Sequence, residues 1–275
     1  MTLDRKIDFA IKLLRSIPQD GPIELSYSGG KDSDVILELA RMAGIPFEAI
    51  YKNTTIDPPG TIAHCRENGV KVVQPKMTFL QLVGKRGMPS RFARFCCGEL
   101  KEYKIHDRAI QGIRRSESRK RSERYKEPEF CRTYKAKEKV RIYLPILEWT
   151  DEDVEKFISD RHIKCAPVYY DADGTFHVER RLGCIGCPLA SIRQRRIEYT
   201  QYPLMLKAQI KAFREYMESH PASSAARKFA NPWDFFYAIL FHETLRDYYY
   251  DNEGLLFPRD SKAILERYFN IDLTI

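Results

Sequence analysis

A glycine turn with a lysine separates an apolar run, residues 23–27, from a helical pattern that starts near residue 34. Adjacent glycines remove the side chains that would keep a ligand away from the backbone N–H groups. A helix that starts here adds free N–H groups and the positive end of its dipole, and a lysine adds a mobile charge. The sequence therefore predicts a phosphate-binding loop between a strand and a helix. The predicted loop consists of Ser28, Gly29, Gly30, Lys31, Asp32 and Ser33.

Lys31 and Asp32 are the candidate catalytic residues of this loop, and the hydroxyls of Ser28 and Ser33 are candidate donors. Asp32 is the unusual member, because a carboxylate repels phosphate unless it faces Mg²⁺ or caps the helix. An ordinary glycine turn is the simpler alternative, and the full six residues in this context argue against it. The loop lacks the spacing GxxxxGK[ST], so it differs from a Walker A loop.

Strand and helix patterns alternate around the loop, and this alternation predicts the fold class. Strands joined by helical crossovers lie parallel, and right-handed crossovers give an open sheet. We therefore expect an α/β fold with a doubly wound, mainly parallel sheet. The predicted strands are Ile23–Tyr27, Phe47–Tyr51, Val70–Val73 and Val140–Leu144, and the predicted helices between them are Asp34–Ala43 and Thr61–Asn68.

Helical patterns dominate the last third of the chain. Asp151–Asp160 is predicted to be a helix that Thr150 caps, with Asp153 near the capping-box position. Beyond an irregular stretch at residues 180–190, helices are predicted over residues 192–202, 204–220, 232–248 and 261–268. We therefore expect an α/β nucleotide-binding domain with cysteine ligands at residues 1–190, and a helical C-terminal region packed on it at residues 191–275.

The amino-acid composition indicates the protein's cellular environment and the charge of its partners. The chain has 46 basic and 38 acidic residues and a net charge of +8, which favours an anionic partner such as a nucleotide, DNA or RNA. The densest basic cluster spans Arg114 to Arg124, where a solvated loop is the alternative reading. No window is apolar enough to span a membrane, and the N-terminus lacks the pattern of a signal peptide. We therefore expect a cytoplasmic protein that has no membrane partner.

Two cysteine pairs predict a metal site. Cys96 and Cys97 are adjacent, and Cys184 and Cys187 form a CxxC motif. Four thiolates suit a [4Fe–4S] cluster or a structural zinc, and the spacing leaves both open. Four buried thiols without a ligand are the remaining alternative.

Four segments in the same order resemble those of a known family. SGGKDS after a strand resembles the PP-loop of the adenine nucleotide alpha-hydrolase superfamily, also called N-type ATP pyrophosphatases. Three further segments are similar to those of its phosphoadenylylsulfate (PAPS) reductase-like family. They are Asn53–Asp57, the GxRxxES-R-like stretch Gly112–Arg119, and the P-L-x-x-W-T-x-x-D-V-like stretch Pro145–Val154. The resemblance implies an adenine nucleotide alpha-hydrolase-like fold.

The resemblance also implies which residues bind the nucleotide, which would be ATP, or else PAPS or adenylylsulfate. The PP-loop would hold phosphate or sulfate, and Asn53, Arg114, Glu117 and Arg119 would contribute to the nucleotide site, with Arg114 as a catalytic residue. Guanidinium groups do bind phosphate oxygens as a bidentate fork, although a surface salt-bridge cluster is the alternative. Adenylylsulfate-type reductases of the family hold a [4Fe–4S] cluster with a CC…CxxC arrangement, which favours the cluster over zinc.

Three functions fit these residues. The first is an ATP pyrophosphatase that splits ATP between the α- and β-phosphates and adenylylates an acceptor for sulfur transfer, as in DNA phosphorothioation. It would use Mg²⁺ and a sulfur donor such as a cysteine desulfurase. The second is a sulfonucleotide reductase, whose relatives carry a C-terminal catalytic cysteine; none follows Cys187 here, so the thiol would come from Cys131 or a partner. The third is a non-catalytic nucleotide- or nucleic-acid-binding subunit.

Overall fold

The computed structural model describes residues 1–134, 137–255 and 259–275, which form six strands and a series of helices. The strands are β1 (Ile23–Tyr27), β2 (Glu48–Lys52), β3 (Lys71–Val73), β4 (Arg108–Ile110), β5 (Glu129–Tyr134) and β6 (Lys137–Tyr143). The first helices are α1 (Leu3–Arg15), α2 (Lys31–Ala43), α3 (Thr61–Glu67), α4 (Phe79–Arg86), α5 (Phe95–Leu100), α6 (Arg119–Arg124) and α7 (Asp151–Asp160). The later helices are α8 (Ile192–Gln201), α9 (Pro203–Ser219), α10 (Ser224–Lys228), α11 (Pro232–Phe241), α12 (Leu245–Asn252) and α13 (Ser261–Phe269).

The sheet has the order β3-β2-β1-β4-β6-β5. All neighbouring pairs are parallel except β5 with β6, which pair antiparallel at one edge. The predicted fold class is confirmed: a mainly parallel sheet flanked by helices, followed by a helical C-terminal region. Strand order reverses direction between β1 and β4, and ligands of open α/β sheets bind outside the carboxyl ends of the strands at such a point. The predicted phosphate loop directly follows β1.

The two faces of the sheet carry separate apolar clusters because successive side chains of a strand point to opposite faces. Ile110 of β4 and Tyr143 of β6 belong to the larger cluster, in which α1, α2 and α7 also pack. Ala109 and Ile142, their neighbours in the chain, belong to the smaller cluster. The larger cluster covers the face that holds Leu25 and Tyr27 of β1, which leaves the opposite face of β1 for other groups.

The chain divides into two compact units. The first unit contains residues 1–75 and 97–183, and the second contains residues 76–96 and 184–275. The second unit therefore includes α4, which the predicted boundary at residue 190 assigned to the α/β part. The physical reason is that α4 packs along α9, where Gly87 lies against the ring of Tyr216. No helix in the described ranges combines the length and the apolar surface that crossing a bilayer requires.

Helix ends follow the capping residues. The prediction for α7 is confirmed, including its capping box: Thr150 N–H donates to Asp153 Oδ2 at 2.8 Å and the Thr150 hydroxyl accepts from Asp153 N–H at 3.3 Å. The single helix predicted over residues 232–248 is wrong. It divides into α11 and α12 because Thr244 begins a new helix with a capping box of its own. α2 begins at Lys31, three residues before the predicted start, because Gly30 is its N-cap.

Gly112, two residues after β4, lies against the first turn of α2. A Cβ atom at this position would lie 2.8 Å from the carbonyl oxygen of Asp32, closer than side chains approach a backbone atom. The missing side chain therefore lets the β4 loop touch the phosphate loop across the strand switch point.

We expect Gly112→Ala to lower the free energy of unfolding by about 1–3 kcal/mol, because the backbone of α2 must shift to admit the methyl group. Gly84→Ala is the matched control. It adds the same group inside α4 with no atom within 4 Å and should raise the stability by roughly 0.5–1 kcal/mol. Urea unfolding of both variants checks the comparison, and equal stabilities would contradict the assigned contact.

Candidate nucleotide site

The phosphate loop is shaped by its two glycines. Gly29 has a φ of 80°, a conformation that favours glycine, and a Cβ atom there would lie 2.8 Å from Thr61 Cγ2. Gly30 is the N-cap of α2 and makes no side-chain cap. The amide end of α2 therefore has no capping side chain from its own N-cap residue that would compete with an anion for the N–H groups.

The two predicted serine donors have different roles. The Ser33 hydroxyl donates to the carbonyl oxygen of Gly30 at 2.6 Å, a bond that closes the first turn of α2. The Ser28 hydroxyl makes longer bonds, to Ser33 Oγ at 3.3 Å and from Gly30 N–H at 3.4 Å. Long hydrogen bonds are weak, so the Ser28 hydroxyl can exchange these partners for a ligand oxygen more readily than the Ser33 hydroxyl.

Lys31 and Asp32 lie side by side at the start of α2. The Lys31 Nζ atom lies 3.4 Å from Asp32 Oδ2 and 5.6 Å above the ring of Tyr169. The other carboxylate oxygen of Asp32 accepts a hydrogen bond from Arg114 Nε at 2.7 Å. Two cations therefore face this carboxylate, which reduces the repulsion that Asp32 would otherwise exert on a phosphate.

Arg114 is buried, with 1% of its surface exposed. Besides Asp32, its guanidinium group donates to Asp151 at 2.7 Å, to Ser116 Oγ at 3.1 Å and to the carbonyl oxygen of Trp149 at 3.5 Å. We expected a fork that binds phosphate directly. The structure instead places the fork between the first turns of α2 and α7, where it holds their carboxylates together.

The three remaining predicted nucleotide ligands, Glu117, Arg119 and Asn53, are bonded to other residues of the protein. Glu117 pairs with Arg121 rather than with the arginines that flank it, and Arg119 is exposed and pairs with Glu123 at 2.7 Å. Asn53 is buried, where its side chain donates to Gln74 at 2.8 Å and accepts from Thr55 N–H at 2.8 Å. These contacts give Asn53 a part in shaping the turn after β2.

Sequence reasoning missed Tyr169 and Leu182, which cover the loop. The Tyr169 hydroxyl accepts from Leu182 N–H at 3.2 Å and from the backbone N–H of Lys31. A Cβ atom on Gly30 would lie 3.1 Å from this hydroxyl. Burial raises the pKa of Tyr169, so the group stays a neutral phenol. Tyr169 could not be predicted from the sequence, because it lies far from SGGKDS in the chain and no motif links the two.

A cavity of about 240 Å³ adjoins the loop at Ser28. It lies on the face of β1 opposite the larger apolar cluster, along Glu24 and Ser26, and reaches Ile50 and Lys52 of β2. The other lining residues are Tyr27, Tyr51, Thr54, Asp57, Lys101, Glu102, Ile105, Gln111, Arg132, Tyr134, Leu182 and Gly183. The cavity thus follows the carboxyl half of the central strands, where the strand order predicts a ligand.

Four charged groups of the cavity wall form two ion pairs. Lys52 Nζ lies 3.1 Å from Glu24 Oε1, and the other oxygen of this buried carboxylate accepts from His106 N–H at 3.3 Å. Arg132 donates to Glu102 at 2.8 Å across the cavity's other side. Such pairing suits a ligand part that is polar and uncharged, such as a nucleoside.

The four predicted metal ligands lie in two short elements. Cys96 and Cys97 lie in the first turn of α5, and Cys97 belongs to the first unit whereas the other three belong to the second. Cys184 and Cys187 form a tight turn in which Cys187 N–H donates to the Cys184 carbonyl oxygen at 3.2 Å. Within the described ranges, no group of three or more His, Cys, Asp or Glu side chains is arranged to hold a metal ion.

A buried cation lies beside the CxxC turn. Arg195 of α8 is 9% exposed, and its Nε atom has no hydrogen-bond partner among the described residues. Burial lowers the pKa of Arg195, while the nearby Cys187 acts in the opposite direction. The turn itself needs Gly186 at a φ of 75°, since a side chain there would collide with the Tyr199 hydroxyl. The turn therefore places Cys187 next to a buried positive charge.

The family model described as "Phosphoadenosine phosphosulfate reductase domain" matches residues 22–190, more than half of the chain. The chain belongs to this family. The matched range contains the phosphate loop, the loop after β4 and all four paired cysteines. The resemblance of the four sequence segments is thereby confirmed, as is the expectation of a family that handles adenine nucleotides in sulfur metabolism.

Similar proteins are sulfate adenylyltransferase subunits. Subunit 2 from Psychromonas ingrahamii is 30% identical over 202 residues, which covers 58% of this chain and 65% of that protein. Subunit 2 from Agrobacterium fabrum is 28% identical over 210 residues and is covered to 64%. The chain thus spans just under two thirds of the length of these relatives. Among solved structures, PAPS reductase from Candida auris in a phosphate complex has a TM-score of 0.43 at 14% identity, over 60% of this chain and 87% of that one.

Arg114→Ala should lower the free energy of unfolding by about 3 kcal/mol, because it leaves the carboxylate of Asp32 without its main buried partner. Arg119→Ala removes the same side chain five residues later, where 91% of it is exposed, and should change the stability by less than about 0.5 kcal/mol. Chemical denaturation of the two variants measures the difference. A stable Arg114→Ala protein that has lost only phosphate affinity would contradict the structural role.

Proposed function

We propose that the chain is an ATP pyrophosphatase of the PAPS reductase family, which splits ATP between the α- and β-phosphates and adenylylates an acceptor for sulfur transfer. The observation that carries the proposal is the phosphate loop itself: a helix start without a side chain on its N-cap residue, two glycines and a buried lysine at the carboxyl end of β1. The sulfur-transfer part rests on the family and on the sulfate adenylyltransferase relatives.

The proposed reaction needs electrostatic stabilisation more than a protein nucleophile. An acceptor oxygen attacks the α-phosphorus, the bond to the α–β bridging oxygen breaks, and pyrophosphate leaves with the electron pair. Amide hydrogens at the start of α2 and the Lys31 ammonium group would bind the departing charge. Mg²⁺ bound to the phosphates of ATP would supply further positive charge there. Asp32, already paired with Arg114, would hold Lys31 in position.

The cavity beside Ser28 would take the nucleoside. It adjoins the phosphate loop, and its wall offers hydroxyl, amide and aromatic groups beside its paired ions. Because Lys52 and Arg132 are already neutralised by Glu24 and Glu102, these two cations would not attract an additional phosphate on the ribose. This arrangement favours ATP over PAPS as the nucleotide.

The reductase alternative finds little support in the positions of two thiols. Arg132 and Tyr134 of β5 line the cavity, so Cys131 points to the opposite face of the same strand. Cys165 is buried beside Asp34, and burial raises the pKa of its thiol, which opposes formation of a nucleophilic thiolate. Release of sulfite from PAPS or adenylylsulfate with thioredoxin would nevertheless favour this function.

A nucleic acid is the acceptor that the surface supports best. α6 presents Arg119, Lys120 and Arg124 to solvent shortly after Arg114 in the sequence. A basic helix of this kind attracts a phosphate backbone without reading its sequence. The proposed donor is a sulfur carrier such as a cysteine desulfurase.

The paired cysteines are proposed to hold a [4Fe–4S] cluster, with zinc as the alternative. The tight CxxC turn and the buried Arg195 beside Cys187 support an anionic centre on this segment. A cluster would supply electron-transfer or structural chemistry. The residues themselves would hold it through four thiolates, two from α5 and two from the turn.

Lys31→Ala should abolish pyrophosphate release from ATP while the protein stays folded, because its side chain supplies the one mobile charge of the loop. Lys12→Ala, on the exposed face of α1, is the control and should keep ATP turnover. A coupled pyrophosphate assay with circular dichroism tests both variants. Unchanged turnover in Lys31→Ala would contradict the assigned role, and nucleotide binding without any turnover would favour a non-catalytic subunit.

Anaerobically purified protein should contain iron and acid-labile sulfide, and Cys184→Ser should lose them because a cluster needs all of its thiolates. Cys131→Ser changes an exposed cysteine on β5 and should keep full metal content. Elemental analysis of the three proteins measures this directly. Zinc in place of iron would establish the alternative, and a protein free of both metals would overturn the site.

A further inference from the structure

Two residues that bracket the phosphate loop meet beneath it. Tyr27 is the last residue of β1, directly before the loop, and Asp34 directly follows it in α2. The Tyr27 hydroxyl donates a hydrogen bond to Asp34 Oδ1. Both residues are buried, so the six residues of the loop are closed by one side-chain bond that water does not reach.

A third side chain joins them from the neighbouring helix. His64 Nε2 of α3 lies 2.9 Å from Asp34 Oδ1 and 3.0 Å from the Tyr27 hydroxyl oxygen. His64 is 4% exposed, and the side chain of Asn68 lies within hydrogen-bond distance of its ring. Thr61, one turn earlier in α3, is the residue that touches Gly29 of the loop. The three polar groups therefore connect β1, α2 and α3 around one oxygen atom.

Stability alone does not account for this cluster. Burial raises the pKa of Asp34, although hydrogen bonds from His64 and Tyr27 act against the rise. Its second oxygen, Oδ2, has no hydrogen-bond partner by geometry in the described part of the chain, and the thiol of Cys165 lies near the carboxyl group. Val35, Ile36 and Leu37 of the same helix are fully buried apolar residues, and such a residue at position 34 would avoid the cost of burying a carboxylate.

We propose that Tyr27, Asp34 and His64 form a clasp that fixes the shape of the phosphate loop for the pyrophosphate part of the nucleotide. The inference rests on the proposed function of the loop. The three are positioning residues, since each lies behind the loop and acts through the backbone of residues 28–33. Without the clasp, the two ends of the loop and Gly29 are no longer held together. The ligand must then order the amide groups when it binds, which lowers its affinity.

Tyr27→Phe tests the clasp, because it removes the hydroxyl and keeps the ring. The dissociation constant and the KM for ATP should rise on the order of tenfold, with a smaller change in kcat, since binding must now order the loop. Tyr237→Phe is the matched control: its hydroxyl accepts from Arg259 at 3.0 Å in the second unit. The control should lose comparable stability and keep its KM. If Tyr27→Phe lowers the melting temperature and leaves the KM for ATP unchanged, the cluster contributes only to stability and the proposal is overturned.

The coupling between the residues provides a second test. In an Asp34→Asn background, Tyr27→Phe should have less effect on ATP affinity than in the wild-type protein, because the bond that it removes is already weakened. His64→Gln replaces Asp34→Asn if that variant does not fold. Fully additive effects would contradict a clasp. Wild-type protein that binds ATP without releasing pyrophosphate would overturn the proposed reaction alone, whereas protein that binds no adenine nucleotide would overturn both.

Discussion

The first turn of α2 carries two carboxylates, although the proposed function requires this turn to attract a polyphosphate. Asp32 and Asp34 would cancel much of the positive potential at this helix start if they faced the ligand unpaired. Asp32 lies between Arg114 and Lys31, and Asp34 is held below the loop by the Tyr27 hydroxyl and His64. In the proposed function, the Lys31 ammonium group and amide hydrogens of this turn are then the groups that a phosphate would meet.

The other parts of the candidate site reach this turn through contacts between residues that are distant in sequence. The reversal of strand order between β1 and β4 brings Gly112 against the backbone of Asp32, and the next turn of that loop supplies Arg114. Arg114 in turn holds the start of α7 through Asp151. The opposite face of β1 opens into the cavity along Glu24 and Ser26, so one strand leads to both the predicted phosphate loop and the adjoining cavity.

Local signals explain what the sequence could predict. Alternating periodicity and glycine stops placed β1, α2 and α7 to within a few residues, and the capping box of α7 could be read directly. β5 was missed because it pairs antiparallel with β6 at the edge and alternates exposed, polar residues. Arg114 looked like a phosphate ligand because its buried partners, Asp32 and Asp151, are distant in sequence. Tyr169 and His64 could not be placed at all, since only the folded chain brings them to the loop.

A crystal structure with an ATP analogue that cannot be cleaved between the α- and β-phosphates tests the central claim most directly. The account predicts the β- and γ-phosphates at the start of α2 beside Lys31, and the adenosine in the cavity that Ser26 and Lys52 line. The same crystal should keep Arg114 between Asp32 and Asp151. An analogue bound elsewhere, with the loop and the cavity empty, would contradict the account.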